Sequence, residues 1–157
     1  MVERAPWGSL DYLAAVRLRR EVLRRPLGLD FSPEELAAEA EAEHFVAKRD
    51  GLVIGALFLM PDAQGRSAKL RQVCVDPRFR GEGIGLRLCA SAEALARERG
   101  WLHLHLAARA EARAFWLRAG YQPCGAGFLD LGIPHLPMAK QLEGPGSVGA
   151  ADSRILP

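Results

Sequence analysis

Three glycines stand within five residues at the point where a strand gives way to a helix: Val73-Cys74-Val75-Asp76-Pro77-Arg78-Phe79-Arg80-Gly81-Glu82-Gly83-Ile84-Gly85-Leu86. Glycine costs backbone entropy there, so a turn that keeps Gly81, Gly83 and Gly85 has a use for bare backbone. A helix N-terminus carries free N–H groups and a partial positive charge. Clearing side chains from in front of it makes a site for an anion, most naturally phosphate or pyrophosphate. A strand feeding into an amphipathic helix is an element pair expected of a mixed α/β (α+β) sheet flanked by helices.

The rest of the chain agrees. Leu10, Leu13, Ala14, Val16 and Leu18 predict a helix over Ser9 to Arg25, ended by Pro26 and Gly28. In the next helix Ser32 is an N-cap, Pro33 takes the first position and Glu35 completes a capping box. His44 to Lys48 and Leu52 to Met60 read as strands joined at Arg49-Asp50-Gly51, with a polar loop over Pro61 to Ser67 and another strand over Leu70 to Val75. Ile84 to Arg99 is the strongest helix, with Ile84, Leu88, Ala92, Leu95 and Ala96 on one face and Gly100 as its stop. Trp101 to Ala107 reads as a strand, Ala110 to Ala119 as a short helix, and Tyr121 to Cys124 and Pro137 to Leu142 as strands. This order predicts a mixed α/β sheet flanked by helices. With no repeat or linker visible, residues 1–143 are expected to form a single domain, and residues 144–157 a disordered tail.

Charge and cysteine usage narrow the function. The 21 basic and 19 acidic side chains give a formal net charge of +2, too balanced for a nucleic-acid partner. Arg19, Arg20 and Glu21, and Glu93, Arg97 and Glu98, read as solvated helix faces. Cys74, Cys89 and Cys124 have no metal-ligand spacing and are odd in number, so no metal site is expected and a cytoplasmic setting fits. The first residues lack an apolar targeting segment, and the longest apolar run, Leu52 to Met60, reads as a buried strand; no membrane partner is expected.

A Walker loop requires Gly-Lys-Ser/Thr, but Leu86 follows Gly85. A dinucleotide-binding turn requires G-x-G-x-x-G, but its third glycine would be Leu86. Arg80-Gly81-Glu82-Gly83-Ile84-Gly85 instead resembles the R/Q-x-x-G-x-G/A signature of the GNAT N-acetyltransferase superfamily. Downstream, Ala112 to Tyr121, ARAFWLRAGY, resembles the superfamily's A-x-x-F-Y-x-x-x-G-F/Y segment. The stretches LRREVLRRPLGL, HFVAKRDG, KLRQVCVDP and FLDLGIPHLPM resemble a branch of small stand-alone bacterial members with a GIPH-type ending, so the likeness runs from Leu18 to Lys140. It implies a GNAT fold: a mixed, mostly antiparallel sheet of six to seven strands, about four helices, and the cofactor in a cleft between splayed central strands.

The resemblance implies acetyl-CoA, or another acyl-CoA, as donor. Backbone N–H groups of Arg80, Gly81, Glu82, Gly83, Ile84, Gly85 and Leu86 would hold its pyrophosphate. Val73, Cys74 and Val75 would run beside the pantetheine arm as an added strand, with the Cys74 or Val75 N–H stabilising the oxyanion. Arg109, standing where the superfamily often has Asn, and Phe115 carry over as cofactor contacts. The acceptor is expected to be a small-molecule or peptide amine.

That amine must lose a proton from a group of pKa near ~10.4 before it attacks. The strand over Ala68 to Val75 offers no carboxylate, so His135 and His44 are the candidate bases, with Asp130 and Glu43 as neighbours that orient or replace them. His103 and His105 share a strand face that either lines the cleft or is simply half-exposed. Trp116 stands where the superfamily has its usual Tyr acid, and an indole N–H does not give up a proton. A thiol of pKa near ~8.5 leaves with little help, so slower chemistry is expected rather than none. The alternative is a non-catalytic acyl-CoA-binding sensor or regulatory protein. Cys74 reads as a small buried residue. A homodimer stays open.

Overall fold

The computed structural model describes residues 1–144; of the expected tail 144–157, all but Gly144 lies outside them. The strands are β1 (Val2–Arg4), β2 (Glu43–Arg49), β3 (Leu52–Pro61), β4 (Ser67–Val75), β5 (His103–Arg109), β6 (Gln122–Pro123), β7 (Phe128–Asp130) and β8 (Ile133–Gln141). The helices are α1 (Leu10–Arg19), α2 (Pro33–Ala37), α3 (Ile84–Arg99) and α4 (Arg113–Arg118). The sheet runs β1-β2-β3-β4-β5-β8-β6, with β7 on β8. It is a mixed α/β architecture, with eight strands among the described residues where six to seven were expected. The additional β1 and β7 have three residues each, too few to show a period of two.

The chain forms two compact units, residues 1–60 with 70–92, and residues 61–69 with 93 onward. In the first, β2 and β3 are joined through Asp50 and Gly51, both at positive φ (51° and 78°), the conformation a tight hairpin requires. β3 is buried on both faces from Val53 to Leu59. Cβ-less Gly55 lies under α3, where an added Cβ would stand 3.0 Å from Leu88 and 3.1 Å from Ile84. Ser9 caps α1 by accepting from the Tyr12 N–H, and the predicted capping box of Ser32 and Glu35 is present on α2.

α1 departs from expectation in its buried face, its length and the place of Arg19. Leu10 and Leu13 point outward, 84% and 55% exposed; the buried face is Tyr12, Ala15, Val16, Leu18 and Arg19. The helix also does not continue to Arg25: Arg20–Arg24 is a π-helical turn and Arg25–Leu27 a 3₁₀ turn, closed by Gly28 at φ 71°. Arg19 is not a solvated residue but 1% exposed. Its guanidinium makes two hydrogen bonds to the Glu39 carboxylate and lies over the rings of Phe31 and Phe58. The Tyr12 hydroxyl donates to the same carboxylate over 3.0 Å.

In the second unit, Ser67–Lys69 of β4 pair in parallel with His103–His105 of β5, and β5 pairs along its length with antiparallel β8. Glu93, also read as solvated, is 6% exposed. It accepts from the Tyr121 hydroxyl and from Lys140, each over 2.9 Å. β7 and β8 join through Leu131 and Gly132, at φ 53° and 74°. Among the described residues no helix is long and apolar enough to cross a membrane, and no group of three His, Cys, Asp or Glu is placed to hold a metal ion.

Candidate active site

The glycine loop belongs to the first unit. Gly81 and Gly83 adopt φ 82° and 79°, the left-handed region that penalises every side chain. An added Cβ at either would meet no protein atom within 4 Å, so backbone conformation and not crowding demands glycine. Gly85 lies inside α3 and has no such φ. The Arg87 N–H bonds to the Gly83 carbonyl over 3.1 Å, which makes Gly83 the N-cap of α3. A glycine N-cap has no side-chain oxygen to offer, so the N–H groups of Ile84, Gly85 and Leu86 keep their capacity for an anion. These residues fit the phosphate-bearing cofactor that the sequence implies.

The loop is anchored from both sides. Glu82 accepts from Arg49 over 2.7 Å, and the Arg49 guanidinium lies over the Phe79 ring. Asp76 pairs with the Arg78 side chain over 2.8 Å and also accepts from the Arg78 backbone N–H, which together hold the Asp76 carboxyl below its ordinary range. A cavity of about 540 Å³ lies beside this turn, lined by Leu18, Glu21, Val22, Pro26, Asp76, Pro77, Arg78 and Arg80. Arg49, Asp76 and the α1 side of this cavity were not read as site residues from the sequence, which placed them only in a hairpin, a strand end and a helix.

β4 supplies the next part. The Asp76 N–H bonds to Ile54 of β3 over 2.8 Å. Because N–H groups alternate edges along a strand, those of Val73 and Val75 face the opposite edge and that of Cys74 faces β3. The β4–β5 ladder has by then stopped, at Lys69 opposite His105. Of Cys74 and Val75, only Val75 therefore has an N–H turned toward that unladdered edge. The Cys74 thiol is enclosed, and burial pushes its pKa up to about 12, the state of an inert core residue.

His44 is also in the first unit, and it is closed in. It is 5% exposed, edge-on to Tyr12 at 4.8 Å and tilted against Phe58 at 5.1 Å. Its Nε2–H donates to the Glu39 carbonyl over 2.9 Å, and desolvation holds its pKa below the ordinary histidine value. The imidazole is packed into the core of the first unit. Its neighbour Glu43 pairs with Arg4.

The other candidates lie in the second unit. Arg109 ends β5 directly opposite His135 of β8. His135 stacks on Phe128 at 5.8 Å. Its Nδ1–H donates to the Ile133 carbonyl over 2.8 Å, which leaves the Nε2 lone pair as its acceptor. Asp130 is exposed at the foot of the β7–β8 turn. On α4, Phe115 meets Trp116 edge-on at 4.9 Å, and the 5%-exposed Trp116 meets Tyr121 the same way at 5.2 Å. His103 and His105 stack at 6.1 Å, and His105 contacts Asp62 over 3.3 Å.

Comparison with known proteins closes the question of kinship. The model of the acetyltransferase (GNAT) domain family matches residues 27–142. The N-acetyltransferase YjcF of Bacillus subtilis (strain 168) is 32% identical over 128 residues, 80% of this chain and 89% of that one. YyaT of the same organism is 31% identical over 79 residues, spanning 50% of this chain and 53% of its own length. Among solved structures, a putative N-acetyltransferase from Lactobacillus plantarum superposes with a TM-score of 0.78 at 26% identity, covering 91% of this chain and 98% of that one. An aminoglycoside 6'-N-acetyltransferase solved with coenzyme A shares the fold, with a TM-score of 0.75 at 15% identity over 90% and 96% of the two chains. The strand, the left-handed glycine pair and the uncapped helix start thus lie inside a match covering most of the chain, which belongs to the GNAT family of N-acetyltransferases, enzymes that use acyl-CoA donors.

Proposed function

We propose that the protein transfers an acetyl group from acetyl-CoA to a primary amine by direct attack. The observation that carries this reading is the uncapped start of α3, reached through two left-handed glycines directly after β4. Bound there, acetyl-CoA supplies a thioester, an acyl group already activated toward nitrogen. The N–H groups of Ile84, Gly85 and Leu86, with Arg80 beside them, hold the pyrophosphate. The Val75 N–H donates to the carbonyl oxygen as negative charge develops on it. His135, with its Nε2 lone pair, accepts the proton of the acceptor amine. Trp116 fills space and transfers no proton. Arg109 and Phe115 belong to the proposed cofactor contacts, and Asp130 to the surroundings of the base.

The test is a thermal shift with acetyl-CoA, CoA and adenosine diphosphate, followed by release of CoA thiol on a panel of amines. A larger shift with acetyl-CoA than with the nucleotide, and turnover on at least one amine, is the expected result. No shift at millimolar acetyl-CoA overturns the reading. Binding with no thiol release on any amine returns the sensor alternative, which the replacement of the usual Tyr by Trp116 keeps open.

A further inference from the structure

Among the described residues only two buried side-chain polar atoms have no hydrogen-bond partner, Arg19 Nε and Gln72 Oε1. A buried polar atom without a partner is uncommon enough to require a reason. Gln72 carries a second anomaly. It sits inside β4 at φ 55°, one of three non-glycine residues in the left-handed region among the described residues. The other two, Asp50 and Leu131, lie in hairpin turns, where such a φ is ordinary. Strain of this kind in mid-strand persists only where the surrounding structure enforces it, and it collects at functional sites.

The place of the anomaly matters. Gln72 lies three residues after the β4–β5 ladder ends at Lys69 and immediately before Val73, whose N–H, by alternation from Asp76, faces the unladdered edge. The left-handed turn interrupts the regular alternation of β4 at the residue adjoining that edge. Its amide oxygen accepts hydrogen bonds and does not take up a proton at neutral pH. A thioester carries no N–H or O–H. The reacting group that does carry one is the attacking amine.

We infer that Gln72 Oε1 accepts a hydrogen bond from the acceptor amine and orients its lone pair on the thioester carbonyl carbon. This rests on the proposed acyl transfer. In that step the nitrogen forms the C–N bond, the C–S bond breaks, and its electron pair leaves with the CoA thiolate. The nitrogen's surplus proton goes to His135 or solvent and finally to the thiolate. Gln72 is a substrate-positioning residue, and it acts on any primary amine because it reads only the N–H.

The experiment compares the full chain with Gln72→Met, which keeps length and loses the oxygen, and Gln72→Glu, which keeps an acceptor oxygen. The probe acceptor is n-butylamine with acetyl-CoA, and acetyl-CoA affinity is measured separately by calorimetry. The wild type should accelerate n-butylamine acetylation over the uncatalysed rate. Gln72→Met should lower kcat/KM for the amine about tenfold while acetyl-CoA Kd stays within about twofold, and Gln72→Glu should stay within about threefold of wild type. An unchanged kcat/KM in Gln72→Met overturns the inference. So does a raised acetyl-CoA Kd with unchanged amine kinetics, which gives the oxygen to the amide groups of the pantetheine arm. Acetyl-CoA binding without acceleration of n-butylamine overturns it as well. A wild type that fails to bind acetyl-CoA overturns the donor reading itself, and this inference with it.

Discussion

At the scale of single residues, the first unit is organised around charges held almost entirely away from water. Arg19 and Glu39 are 1% and 6% exposed and bonded to each other through two hydrogen bonds. Such a pair adds little net stability, but breaking it strands a buried charge. Glu39→Ala should therefore destabilise the protein by ~3–5 kcal/mol, read from urea denaturation, whereas the exposed Glu21→Ala should cost under ~1 kcal/mol. His44 adds a pH dependence. Burial lowers its pKa from 6.5. On acidification below that value the unfolded chain binds a proton that the folded chain refuses. The stability is complete above pH 6.5 and falls below it, by at most ~1.4 kcal/mol per pH unit, until the lowered folded pKa is reached. The melting temperature of wild type should drop between about pH 6.5 and 5.5 more steeply than that of His44→Gln. Neither residue's situation was legible from the sequence. Arg19 and Glu39 are 20 positions apart, and interleaved charge reads as surface until a fold brings opposite signs together.

At the scale of elements, the β4-to-α3 connection and its supports respond differently to the same small substitution. Gly55→Ala inserts a Cβ about 3 Å from Leu88 and Ile84. It should destabilise by ~1–3 kcal/mol through overpacking, seen as a lower denaturation midpoint. Gly83→Ala meets no atom but forces alanine to φ 79°. Its cost should be ~1–2 kcal/mol from backbone strain, and acetyl-CoA affinity measured by calorimetry should fall with it. Elements with strong local signals were legible: α3 from its apolar face, the α2 capping box from Ser32 and Glu35, the β2–β3 hairpin from Asp50-Gly51. The β7–β8 hairpin was not, because Leu131-Gly132 is not a residue pair that local sequence marks as a turn. The π-helical turn at Arg20–Arg24 was missed for a similar reason: REVLR has ordinary helix-forming residues, and only the surrounding packing changes its hydrogen bonding.

At the scale of the whole molecule, ligand binding should appear as stability. A donor held only by the folded state adds ~2.7 kcal/mol at a hundredfold excess over Kd. For a chain of 157 residues this corresponds to a rise in melting temperature of about 5–10 °C, and adenosine diphosphate at the same concentration should give less. The sequence by itself determined the glycine loop, the strand before it, the helix after it and through them the family, because these features are local and follow from backbone chemistry: φ, capping and periodicity over a few residues. Only the tertiary structure decided that His44 is a core residue, that Arg19 and Glu93 are buried, that Val75 and not Cys74 turns its N–H to the unladdered edge, and that Gln72 is strained with its amide oxygen unpaired. Each of these depends on which distant segment lies alongside, and burial and pairing are properties of a neighbourhood that no short stretch of chain carries by itself.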